Sequence, residues 1–178
     1  AQQAASQTAS DTAFTQTERD GLRVTADSIW HPLLGFALPH PGQFFAEDTT
    51  LTRLVDEQFR TRPDIIGWGI RVPGSPQLLL IMAANLSTSS EDAFRGFAMG
   101  VRRGIEHATP VSETLEWANS SGNYRLTMRH LSGGYFSVRC LSRTRLGGSF
   151  VVCVESTGEP ANKHGHVQAG LHFANTLR

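Results

Sequence analysis

Between Val111 and Glu155 the chain repeats one pattern four times. Val111 to Trp117, Tyr124 to His130, Tyr135 to Ser142 and Ser149 to Glu155 are strand-like runs, and Gly122, Gly133-Gly134 and Gly147-Gly148 punctuate them. Runs of this length separated by tight glycine links read as an antiparallel meander. Whatever else the chain does, it must cover the faces of that sheet.

The flanking segments supply the rest. Ile66, Trp68, Ile70 and Val72 alternate on one face of a hairpin arm, and Pro73-Gly74 fits the centre of a type II turn. The second arm, Leu78 to Ala84, is apolar on both faces, as a centrally placed strand would be. Residues 29–38 read as an entry strand broken by Pro32 and ended by Pro39, Pro41 and Gly42, an edge of the sheet. Three helices are expected. Asp48 or Thr49 caps the first, Leu51, Leu54 and Val55 form its stripe, and Pro63 stops it. The second, Glu91 to His107, opens with capping patterns at Thr88/Glu91 and Ser89/Asp92 and turns Phe94, Phe97, Ala98, Val101 and Ile105 to one face. The third follows Pro160, with Val167, Leu171, Ala174 and Leu177 as its core face. Antiparallel strands with helices between them argue for an α+β fold.

With 178 residues the chain is long enough for one domain with a real core. A net charge of zero gives no global field that would favour nucleic acid. No apolar run reaches the roughly 18 residues of a membrane span. The opening "AQQAASQTAS" has the small polar composition of a mature chain after signal-peptide removal, or of an arbitrary start. Residues 1–25 read as an extended N-terminal arm and 26–178 as a single domain. Phe14 is the only large apolar residue before Leu22, so the arm is expected to dock weakly on its own domain and to be available to a partner. Deleting it is then expected to leave the thermal transition nearly unchanged.

The element order, together with the opening Gly35-Phe36-Ala37-Leu38-Pro39, the helix Glu91 to His107, the meander Tyr124 to Glu155 and the closing helix, resembles the PsbP-like family. That family contains the extrinsic photosystem subunit, Mog-type proteins and exported bacterial lipoproteins. The resemblance implies an α/β/α sandwich with a central, mainly antiparallel six- to seven-stranded sheet and helices on both faces. It also implies a non-catalytic extrinsic accessory subunit that docks on and stabilises or regulates a membrane protein complex. A photosynthetic or electron-transfer complex is its sharpest version. The place implied is periplasmic or otherwise extracytoplasmic, peripheral to a membrane.

The search for chemistry returns little. His164, His166 and His172 are too few and poorly spaced for a metal site, and His31 and His40, each before a proline, have no partners at workable spacing. No nucleophile elbow, phosphate loop or dinucleotide fingerprint occurs. No catalytic residue, cofactor or metal is therefore assigned. If the last hairpin turns between Leu146 and Gly147, Cys140 and Cys153 fall opposite one another; a disulfide and two buried thiols are the alternatives.

Two surfaces suggest binding. From Ala118 to Val154 there is no acidic residue, while Arg125, Arg129, Arg139, Arg143 and Arg145 all occur there. Such a patch suits carboxylates, phosphates or an anionic membrane surface, unless it is a solvated sheet edge. In the second helix Gly96, Gly100 and Gly104 form a stripe about 120° from the Phe94/Val101 face, beside Arg102 and Arg103. The stripe invites close approach by a partner or by the arm, or else marks tight packing within the domain. Phe14, the three glycines, Arg102, Arg103, Arg125, Arg129, Arg139 and Arg143 are thus the expected partner contacts. The alternative function is a periplasmic small-ligand or lipid-binding protein with a cleft between helix and sheet.

Overall fold

The computed structural model describes residues 12–25, 27–39, 45–74, 77–145, 147–158, 168 and 170–174. Among them, two antiparallel sheets form. The larger holds seven strands in the order β4-β5-β6-β10-β9-β8-β7: β4 is Ala46–Glu47, β5 Ile65–Arg71, β6 Leu78–Leu86, β7 Ala108–Ala118, β8 Ser121–His130, β9 Tyr135–Arg145 and β10 Gly148–Gly158. The smaller holds β1 (Arg23–Val24), β2 (Ser28–His31), β3 (Phe36–Pro39) and β11 (His172–Phe173), in the order β1-β2-β3-β11. The helices are α1 (Gln16–Arg19), α2 (Thr49–Gln58) and α3 (Glu91–Gly104).

Alternation along the strands decides which layer covers which face. On β5 and β6 the residues Ile66, Trp68, Ile70, Leu79, Ile81 and Ala83 point one way; with Phe150, Val152 and Val154 of β10 they meet Ile29, Phe36 and Leu38 of the small sheet. The opposite parity, Val151 and Cys153 of β10 with Tyr124, Leu126, Met128 and Val138, packs under Phe94 and Ala98 of α3. Glycine brings the helices down. Val55 and Leu51 of α2 occupy the space where side chains on Gly67 and Gly69 would stand, and the Phe94 ring does the same at Gly122. Asp48 caps α2 through the Leu51 amide at 3.0 Å, and Ser90, one or two residues beyond the expected caps, holds the Ala93 amide at 3.2 Å.

The expected α/β/α sandwich is therefore wrong. Both long helices lie on one face of the seven-stranded sheet, and a second sheet covers the other. The entry strand is in fact the hairpin β2–β3, turning through Pro32 to Gly35 with Gly35 at φ 66°. It sits inside the small sheet, not at an edge. The closing helix fails at its described end: His172 and Phe173 pair with Ala37 and Phe36 as β11, and Leu171 is buried in the small-sheet core. A strand of two residues leaves no periodicity to read, so the spacing of four, three and three misled. Residues 159–167, 169 and 175–178, with His164, His166, Val167 and Leu177, and also His40, lie outside the described residues.

The N-terminal arm needs a similar correction from residue 12 onward. Phe14 is 6% exposed and meets Phe150 edge-on at 6.4 Å. Its amide donates to the Pro63 carbonyl at 2.9 Å, Asn85 Nδ2 donates to the Thr12 carbonyl at 2.9 Å, and Trp68 Nε1 donates to the Arg19 carbonyl at 2.9 Å. Phe14 is thus a core residue, not a partner contact. His31 is fully buried between Phe36 and Trp68. Its Nε2–H donates to the Glu18 carbonyl at 2.7 Å and its Nδ1 accepts from the Leu34 amide at 3.1 Å, which specifies a neutral ring.

Two outcomes are expected. Phe14→Ala should cost about 3 kcal/mol or more in urea unfolding, because it empties a buried aromatic site; an unchanged midpoint would show the segment to be peripheral. Burial holds the His31 ring below its ordinary value of 6.5, outweighing the Glu18 carbonyl and carboxylate that favour protonation. Below that value the unfolded chain binds the proton and the folded one resists it, so stability falls as the pH drops through this window. His31→Gln should flatten the stability-versus-pH curve between about pH 7 and about pH 5 relative to the parent chain.

Candidate functional site

The helix-bearing face of the large sheet is not fully covered. α2 is drawn onto β5 by Gly67 and Gly69, and α3 onto β8 by Gly122, four strands further along the order. Between them β6, β10 and β9 form the floor of a groove of about 680 Å³. Leu80, Met82, Glu155 and Phe136 line that floor; Phe59 and Ile65 form the α2 side and Phe97, Val101 and Ile105 the α3 side. Seven of these apolar residues (Phe59, Leu80, Met82, Phe97, Val101, Ile105 and Phe136) are only partly buried. Apolar side chains gathered yet left accessible make this groove the candidate binding surface.

Gly96, Gly100 and Gly104 line the same groove. A Cβ built on any of them meets nothing within 4 Å, so the stripe is not packed inside the domain. It leaves the groove open along α3. The expected partner stripe is thus open and faces a cleft between helix and sheet.

The arginines divide. Arg143 donates to the Leu34 carbonyl at 2.7 Å and lies over the Phe173 ring at 4.9 Å, and Arg139 donates to the Gln168 and Leu171 carbonyls at 2.7 and 3.3 Å. Both fasten the small-sheet layer to β9, so neither is a free partner contact. Arg102 binds Glu113 of β7 at 2.9 Å, and Tyr124 donates to the same carboxylate at 2.9 Å. That bond, with burial foremost, pushes the Tyr124 hydroxyl far up. Arg145 binds Glu18 at 2.9 Å. Arg103, Arg125 and Arg129 remain exposed. Arg125 stands opposite Arg139 on an interior pair of strands, so the patch is not a sheet edge; the cavity there is small, about 280 Å³, with Leu126 and Val138 among its mostly polar lining residues.

Cys140 and Cys153 are directly opposed on β9 and β10 and form a disulfide, buried beneath α3. Among the described residues no group of His, Cys, Asp and Glu is arranged to hold a metal, and no helix is long and apolar enough to cross a membrane.

Sequence reasoning missed Glu155. It follows Val151 and Cys153 at the inward parity of β10 and points to the helix face, opposite Leu80 and Val138. A lone acid continuing an apolar alternation was the available signal. Burial pushes its carboxyl up from the ordinary value. The folded chain then keeps a proton that the unfolded chain releases, so Glu155 costs stability at neutral pH, and acidification through its raised value relieves that cost.

No family model matches the chain, and a search of curated proteins finds no match. Among solved structures, a protein from Bacteroides thetaiotaomicron VPI-5482 at 1.50 Å resolution is similar, with a TM-score of 0.46 and 14% identity over 85% of this chain and 50% of that one. The chain spans half the length of that neighbour.

Gly100→Ala is expected to raise the thermal midpoint, corresponding to up to about 1 kcal/mol, since the helix gains and nothing obstructs the methyl group. A lowered midpoint would mean that the stripe is packed against something after all.

Proposed function

We propose that this protein is a non-catalytic binding protein that seats an elongated apolar ligand, of lipid-chain character, in the groove between α2 and α3. The observation that carries this reading is the pairing of an apolar floor with a wall of three open glycines. A volume of about 680 Å³ lies within the range of small-ligand sites, roughly 300–1,000 Å³. A periplasmic or other extracytoplasmic location goes with it, because a disulfide persists in oxidising compartments.

The role of an extrinsic accessory subunit on a membrane complex has one observation in its favour. The same glycine stripe is open along α3, so a partner's segment could lie against it. A three-turn helix about 10 Å across occupies roughly 1,200 Å³, however, and would sit only partly sunk in the groove. A lipid chain fits within it, and the ligand reading is preferred.

The test is the fluorescence of N-phenylnaphthylamine, a neutral apolar probe. The parent chain should enhance it saturably, and Gly100→Leu, whose side chain projects into the groove, should weaken probe binding by about tenfold while the circular dichroism spectrum stays unchanged. Equal binding by a folded Gly100→Leu protein would place the probe elsewhere and sink the proposal.

A further inference from the structure

The groove floor carries a single charge. Among the described residues nothing donates a hydrogen bond to Glu155 or pairs with it. Two other charged residues line the groove. Arg62 is already engaged by Asp64 through two bonds of 3.0 and 2.9 Å, and Glu106 is exposed at the rim. Gly104 and Ile105, at the carboxyl end of α3, belong to the same lining, so the negative end of the helix dipole adds to the field. Arg102, in the last turn, is held by Glu113.

We infer that the ligand is a cationic amphiphile, an apolar chain with a protonated amine that donates to the Glu155 carboxylate. This rests on the groove being a ligand site. A carboxylate or phosphate head would bring like charges together, and an alcohol would leave the half-buried carboxylate without a counter-charge. An ammonium group supplies both the opposite charge and the N–H donors that an isolated carboxylate lacks. Pairing would also return the Glu155 carboxyl toward its ordinary range, so ligand binding and deprotonation support each other.

The experiment compares three ligands that share one alkyl chain, dodecylamine, dodecanol and dodecanoate, by calorimetric titration below the micelle concentrations of the amine and the carboxylate and below the solubility limit of the alcohol. Dodecylamine should bind about tenfold more tightly than dodecanol, with dodecanoate weakest, and Glu155→Gln should bring the amine-to-alcohol ratio to about one. The Glu155→Gln protein should also melt higher than the parent at neutral pH, which separates loss of preference from loss of fold. If dodecanol binds and Gly100→Leu blocks it, but the amine has no advantage, the head-group inference is overturned and the groove reading stands. If no ligand of the series binds and the probe is insensitive to Gly100→Leu, the groove reading itself has failed.

Discussion

The structure depends on β10. It pairs with β6 on one side over nine positions, Ser149 to Thr157, and with β9 along its whole length on the other, so it joins the first hairpin of the large sheet to the meander. Its two faces feed two different cores: Phe150, Val152 and Val154 pack against the small sheet, and Val151 and Cys153 beneath α3. The Cys140–Cys153 disulfide fastens β10 to β9 at the centre of the helix-side core. A covalent link across a short hairpin removes freedom chiefly from the unfolded chain, on the order of 3 kcal/mol for a loop of this size. The small sheet, the long helices α2 and α3 and the N-terminal segment pack onto the two faces of the sheet that β10 holds together.

Glycine has opposite uses on the helix side of the sheet. On the strands, Gly67, Gly69 and Gly122 remove side chains so that α2 and α3 can settle onto the backbone. On α3 itself, Gly96, Gly100 and Gly104 remove side chains from the wall of the space left between the helices. The first set is compensated by close packing of Leu51, Val55 and Phe94. The second has no such compensation, and each glycine costs a helix interior on the order of 1 kcal/mol against alanine.

The meander, the first hairpin and the helices α2 and α3 were legible in the sequence because they are long enough for periodicity to show. Phe94 and Ala98 recur at helical spacing, and Trp68 and Ile70 at strand spacing. The small sheet was not, since its strands run two to four residues and acquire their identity only from pairing. Phe14 failed for a related reason: one aromatic residue in a polar stretch has no pattern, and its burial depends on Phe150 more than a hundred residues away. The implied α/β/α sandwich puts helices on a face that a second sheet occupies. The glycine stripe could be seen in the sequence, but its direction could not, because the angle between core face and stripe does not say whether a neighbour fills the space beyond.

The groove concentrates the costs of the helix side of the sheet. An uncompensated carboxylate, three open glycines and partly exposed Phe59, Phe97 and Phe136 all occur there, each a departure from the rule that local choices serve the core. Domains of this size hold only about 5–15 kcal/mol of net stability, so three glycines and one half-buried, unpaired carboxylate together are a substantial fraction of it. These costs are confined to one concave surface, while the opposite face packs Ile29, Leu38, Leu79 and Ile81 to complete burial, and the proposed ligand site rests on that contrast. A ligand that covers the aromatic side chains and neutralises Glu155 would reverse several of them at once. Under the proposed reading, ligand occupancy and the stability of the fold are coupled, and occupancy should be readable as a gain in thermal stability in proportion to the ligand's affinity.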